Sequence, residues 1–135
     1  MLRKILILED NMEIAGLHLA RLAGVPVEVV IASTAAEVPK FLQSESFAIV
    51  MLDGIAPSEE GQEPSLVGPP LARKIRRMGF KGPIIAGSID PQIQELIKEW
   101  ANRILPHRVY IYDKLDPDAD LPGLIRELLK VYPLK

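Results

Sequence analysis

Three carboxylates, one hydroxyl and one ammonium stand just past the ends of apolar runs in this 135-residue chain. Glu9 and Asp10 follow Ile5-Leu6-Ile7-Leu8, and Asp53 follows Ile49-Val50-Met51-Leu52. Ser88 follows Pro83-Ile84-Ile85-Ala86-Gly87, and Lys114 follows Val109-Tyr110-Ile111-Tyr112-Asp113. If these runs are parallel strands of one sheet, the five side chains gather on one rim, where open α/β sheets place their sites. Carboxylates crowded together repel unless a cation joins them. Three oxygen ligands plus waters suit Mg²⁺, which keeps part of its hydration shell and bridges to phosphate. One carboxylate can then act as nucleophile and become an aspartyl phosphate. Ser88 can donate to a phosphoryl oxygen, and Lys114 can pair with another as a compact cation. Catalysis of that kind is mostly positioning and charge stabilisation.

The elements that must carry these residues are legible in the pattern. Strands are expected at Lys4–Leu8, Val27–Ala32, Phe47–Leu52, Pro83–Ala86 and Val109–Tyr112, as short apolar runs suited to strands buried on both faces. Helices alternate with them. The first spans Asn11–Ala23, with Met12, Ala15, Leu19 and Leu22 on one face and Gly24 as a stop. Thr34 and Glu37 form a capping-box pattern for the second. Pro39 delays or distorts that helix, whose buried face is Val38, Phe41 and Leu42. Gly54 to Pro70, rich in Gly, Pro, Ser and Glu, reads as a long loop. Pro69 or Pro70 opens the third helix, with Leu71, Ile75 and Met78 inward and Gly79 at its end. Asp90-Pro91 starts the fourth, with Ile93, Leu96, Ile97 and Trp100 as its stripe. The last runs from Leu121 to Val131, with Leu124, Leu128 and Val131 inward. Five strands and five helices in alternation predict a three-layer α/β/α sandwich around a parallel sheet.

Composition narrows the function. Hydrophobic residues make up 48% of the chain and charged residues 25%, enough for a buried core. A net charge of −2 argues against a general nucleic-acid binder. There is no cysteine, which excludes disulfides, thiolate metal sites and thiol nucleophiles. No apolar stretch reaches membrane-spanning length, and no signal-peptide pattern precedes the first strand. One domain over residues 1–135 in the cytoplasm is the expectation.

The ordered set of motifs resembles the response regulator receiver domain of two-component signalling, CheY-like in fold. The resemblance rests on Ile5-Leu6-Ile7-Leu8-Glu9-Asp10-Asn11, on Ile49-Val50-Met51-Leu52-Asp53 with Pro57 four residues on, on Pro83-Ile84-Ile85-Ala86-Gly87-Ser88, and on Lys114. It covers nearly the whole chain. It implies a flavodoxin-like sheet of order 2-1-3-4-5, counting the five strands. It implies Asp53 as phosphoacceptor, and Glu9 and Asp10 as the acidic pair that holds Mg²⁺. Ser88 would be the switch hydroxyl and Lys114 the phosphoryl-contacting lysine. The backbone carbonyl of Ile55 would join Asp53 as a metal ligand. The partners implied are a sensor histidine kinase or phosphotransfer protein and a downstream protein. The chain would be a signalling phosphoacceptor that assists its own phosphotransfer and dephosphorylation, without a DNA-binding domain.

Four features depart from that pattern. The loop after Asp53 is longer than usual and carries Glu59, Glu60 and Glu63. Ile89 follows Ser88 where a small residue is common, and Leu115 follows Lys114 where a proline is usual. The aromatic switch position is Ile111, flanked by Tyr110 and Tyr112, whose side chains must point to the opposite face. The long acidic loop, Ile89 and Leu115 motivate an alternative, a degenerate receiver that binds proteins without phosphorylation. An enzyme on the same layers has less support. A dehalogenase-type phosphatase would want a second aspartate at Ile55, and no Gly-rich phosphate loop follows the first strand.

Other residues read as ordinary structure. His18 and His107 lack metal-ligand spacing, and each is expected as a surface or partly buried structural histidine. Trp100 reads as core. Arg73, Lys74, Arg76 and Arg77 read as a solvated helix face.

Overall fold

The five apolar runs lie side by side as one parallel sheet in the structure, a computed structural model that describes residues 2–106 and 108–132. Along the chain the strands are β1 (Arg3–Leu8), β2 (Val27–Ala32), β3 (Ile49–Leu52), β4 (Ile55–Pro57), β5 (Pro64–Leu66), β6 (Ile84–Ala86) and β7 (Val109–Ile111). The helices are α1 (Met12–Arg21), α2 (Glu37–Ser44), α3 (Gly68–Arg77), α4 (Pro91–Asn102) and α5 (Leu121–Val131). The main sheet has the order β2-β1-β3-β6-β7, which matches 2-1-3-4-5 once β4 and β5 are set aside as a separate pair. It is the flavodoxin-like arrangement expected.

Strand periodicity divides the core into two halves. Leu6, Leu8, Val50, Leu52, Ile84 and Ala86 face α2, α3 and α4. Ile5, Ile7, Ile49, Met51 and Ile85 face α1 and α5. Because both faces are covered, β1 and β3 can be apolar at every position from Ile5 to Leu8 and from Ile49 to Leu52, and all eight residues are buried. Register then does the positioning. Leu8 pairs with Leu52, Leu52 with Ala86, and Ala86 with Ile111, so four strands end in one row. The residues just beyond that row emerge at one level.

Several local expectations shift. In α1 the buried stripe is Ala15, His18 and Leu22, whereas Met12 and Leu19 face solvent. The spacing is equally helical, but the inward residue is a polar histidine that finds an acidic partner inside. A hydrophobicity pattern passes over it. Thr34 and Glu37 do meet, hydroxyl to carboxylate at 3.2 Å. However, α2 begins only at Glu37 and has no side-chain cap, so Pro39 lies in its first turn. Met78 and Val131, expected inward, are exposed. Trp100 is half-buried over Arg103, not core. Arg76 leaves the solvated face altogether. It is buried and donates to the carbonyls of Phe80, Gly82 and Arg108. His107 lies outside the described residues.

The largest correction concerns Gly54 to Pro70. This stretch contains an antiparallel hairpin, β4 with β5, turning near Gly61, whose φ is +83°. Proline ends both strands at the Pro57–Pro64 pair, which is tolerated because neither strand belongs to the main sheet. The hairpin docks on the loop before α2: Ala35 and Ala36 N–H groups donate to the Pro57 and Ser58 carbonyls, each at 2.9 Å.

Candidate functional site

Glu9 and Asp53 leave the ends of β1 and β3 side by side, and Lys114, from the loop after β7, reaches between them. Its Nζ donates to Glu9 Oε1 at 2.7 Å and to Asp53 Oδ2 at 2.9 Å. All three side chains are buried. Asp10 is half-exposed at the mouth, and one carboxylate oxygen each from Glu9, Asp10 and Asp53 lies within 4.8 Å of the others. Asn11, next in line, caps α1 by accepting from the Glu13 and Ile14 N–H groups at 3.0 and 3.2 Å. This fixes the turn in which Asp10 sits.

The remaining expected residues line the same cleft, whose volume is about 480 Å³. Ser88 is buried beside it, its Oγ accepting from the Asp90 N–H at 3.2 Å, so its proton is free to be donated elsewhere. Gln94 of α4 donates to the Ser88 carbonyl and ties this loop to the helix. Ile55 N–H donates to Asp53 Oδ1 at 3.4 Å. The Gly54 carbonyl accepts from Val67 N–H. By antiparallel alternation the Ile55–Leu66 pair then falls at a non-bonded position, which leaves the Ile55 carbonyl outside the ladder. Ile55, Pro64, Ile89 and Leu115 add apolar lining, with Ile89 and Leu115 about half exposed. Ile111 is exposed on β7, while Tyr112 and Tyr110 both point to the α1–α5 side. The position at which the resemblance would want an aromatic side chain is thus an exposed isoleucine.

Electrostatics follow from burial and from unequal sharing of one lysine. For Asp53, burial pushes the carboxyl above the ordinary aspartate range. The Lys114 hydrogen bond and charge pull it back only in part, and Glu9 adds repulsion. For Glu9, burial pushes the same way, but His18, Lys114 and the Asn11 N–H outweigh it, and the net direction is down. For Lys114, burial alone would lower the ammonium, but its two carboxylate partners hold it above the ordinary lysine range. Glu9 and Asp53 therefore share one buried ammonium, and Asp10 adds a third carboxylate at the mouth. This all-oxygen donor set with excess negative charge fits a hard divalent cation such as Mg²⁺.

Pattern reading passed over one member of the site. His18, treated as ordinary structure, is fully buried with Nε2 3.6 Å from Glu9 Oε1, and its Nδ1 has no partner among the described residues. The only sequence signal was its spacing, three residues after Ala15 and four before Leu22, on the face that α1 turns inward.

The comparisons agree with this geometry at the level of fold. No family model and no curated protein sequence matches the chain. Solved structures do. The signal receiver domain of an HD domain-containing protein from Pseudomonas fluorescens Pf-5 has 17% identity, covers 98% of each chain and gives a TM-score of 0.73. The response regulator TrrA of Thermotoga maritima, solved with Mg²⁺-BeF, has 22% identity, covers 95% of this chain and 100% of its own, and also gives 0.73. A CheY-like receiver domain from Methylobacillus flagellatus has 15% identity, 95% and 99% coverage, and 0.68. The sheet order, the layers and these likenesses agree: this chain has the fold of the CheY-like receiver domains of response regulators.

Proposed function

We propose that residues 1–135 form a single receiver domain in which Asp53 accepts a phosphoryl group from a histidine kinase or phosphotransfer protein in the cytoplasm. The observation that carries this reading is Lys114 bridging Glu9 and Asp53 at 2.7 and 2.9 Å inside one cleft. An Asp53 oxygen attacks phosphorus and a P–O bond forms. The P–N bond of a phosphohistidine breaks, and the leaving imidazole takes a proton from water. Lys114 is near enough to transfer its hydrogen bond from Asp53 to a phosphoryl oxygen, and the free Ser88 proton serves a second. Glu9, Asp10, Asp53 and the Ile55 carbonyl would hold Mg²⁺, which supplies neutralising charge to the transferring group. Mg²⁺-BeF in the Thermotoga regulator supports that choice of ion. The phosphorylated surface would then act on a downstream protein, by shifting a two-state equilibrium.

With Mg²⁺ and acetyl phosphate, the protein is expected to gain one phosphoryl group by intact-mass measurement, and Asp53→Ala none. Equal labelling of both would remove Asp53 from this role. The exposed Ile89 and Leu115 beside the cleft favour a second reading, a protein-binding module that works without phosphorylation. A folded protein that binds neither Mg²⁺ nor beryllofluoride would favour that one.

A further inference from the structure

Helix α1 sends a second side chain toward the loop that carries Lys114, and none of the steps above uses it. Arg21 Nη1 donates to the Lys114 carbonyl at 3.1 Å and to the Tyr112 hydroxyl. Tyr112 is buried at the end of β7, with its ring 6.4 Å from that of His18. Apart from the Lys114 ammonium itself, the loop that follows is otherwise held by local bonds to its backbone. Leu115 N–H donates to Asp113 Oδ1, and Asp116 N–H to the Asp113 carbonyl. Such bonds shape a turn but do not fix it against the rest of the molecule. Among the described residues, Arg21 is the one side chain from another element that hydrogen-bonds the backbone of residues 113–116.

The consequence lies in reach. The Lys114 ammonium must meet Glu9 and Asp53 at the end of a flexible four-carbon stem. Where its backbone is held, the ammonium stays poised over the cleft. Where the loop drifts, the same side chain spends its length recovering the distance. Catalytic groups tolerate misplacement of this kind poorly. We propose that Arg21 is a positioning residue for Lys114: by holding the Lys114 carbonyl from α1, it sets the affinity of the cleft for a phosphoryl-like anion without taking part in metal binding. The proposal rests on the reading of Lys114 as the phosphoryl-contacting cation.

The test measures two affinities by titration calorimetry, Mg²⁺ alone and beryllofluoride at saturating Mg²⁺. For Arg21→Leu, beryllofluoride is expected to bind about tenfold more weakly, as for one lost charge-assisted hydrogen bond, with Mg²⁺ affinity within about twofold of wild type. Arg21→Lys keeps a donor and should recover most of the loss. Tyr112→Phe, which leaves the Lys114 carbonyl bond in place, should stay within about threefold. If Arg21→Leu does not fold, Arg21→Gln, too short to reach, carries the same comparison. Unchanged beryllofluoride affinity would overturn the proposal, as would equal weakening of both ligands, since a structural defect would loosen the whole cleft. A wild-type protein that binds Mg²⁺ but no beryllofluoride would overturn the phosphoacceptor reading and the proposal together, and that failure is visible before any variant is made.

Discussion

Asp53 is held by opposed forces, and the balance predicts how the protein responds to acid. Burial is the largest, and it leaves the carboxyl above its ordinary range despite Lys114. A carboxylate raised in the folded state costs stability wherever it is ionised. That cost is present at neutral pH and fades as pH falls through the raised value toward the ordinary one. Asp53→Asn is therefore expected to melt about 2–5 °C above wild type at pH 7, with the gap closing in acid. Calorimetry from pH 7 to pH 3.5 checks this, and a gap that widened in acid would contradict it. Glu9 behaves oppositely. Its lowered value adds stability that is fully present above the ordinary glutamate range and is lost as pH falls through the lower one. The carboxylates and Lys114 were legible as residues because each ends an apolar run. Their inequality was not, because it comes from partners such as His18 that a strand-end pattern does not contain.

Between elements, the contact that matters most is made by two glycines. A Cβ on Gly68, at the start of α3, would lie 2.8 Å from Gly54 Cα and 2.9 Å from the Asp53 carbonyl. Both obstacles are backbone, so neither can rotate away. Gly68→Ala is expected to cost about 1–3 kcal/mol, as overpacking does, by urea denaturation. It should also weaken Mg²⁺ binding, because the backbone it presses on carries Asp53. Loss of stability without loss of Mg²⁺ affinity would mean that α3 yields instead. The sequence suggested α3 through Pro69 and Pro70 but gave no hint of this approach, since a glycine before two prolines reads as loop. The β4–β5 hairpin escaped for a related reason. Its three-residue strands are too short for a period, and its docking bonds go to Ala35 and Ala36, some twenty residues earlier in sequence.

At the scale of the molecule, the two ends of the sheet have separate duties. The cleft occupies the carboxyl end. At the other end Arg76 binds three carbonyls, from Phe80 at 2.9 Å, Gly82 at 2.6 Å and Arg108 at 3.0 Å, and so clamps the approaches to β6 and β7. Arg76→Met should destabilise the fold by about 3 kcal/mol, since buried carbonyls lose a charged donor, yet leave beryllofluoride affinity at wild-type strength. A drop in both would show that the ends are coupled. Layering and strand alternation were readable because the five apolar runs have no competing interpretation. Strand order came only with the resemblance, because pairing between runs leaves no mark on either run alone. Arg76 shows the limit from the other side: within Arg73-Lys74-Ile75-Arg76-Arg77 residue type does not distinguish the buried arginine from Lys74 and Arg77, which face solvent.

The docking of the hairpin on the loop before α2 gives the molecule an internal gauge. The Ala35 and Ala36 amides belong to no ladder of the main sheet, and they are covered only while the Pro57 and Ser58 carbonyls sit over them. Their hydrogen–deuterium exchange would thus clock the lifting of that flap separately from global unfolding, which Ile5 to Leu8 would report. Any ligand of the cleft that steadies the hairpin should slow two alanine amides that it never touches.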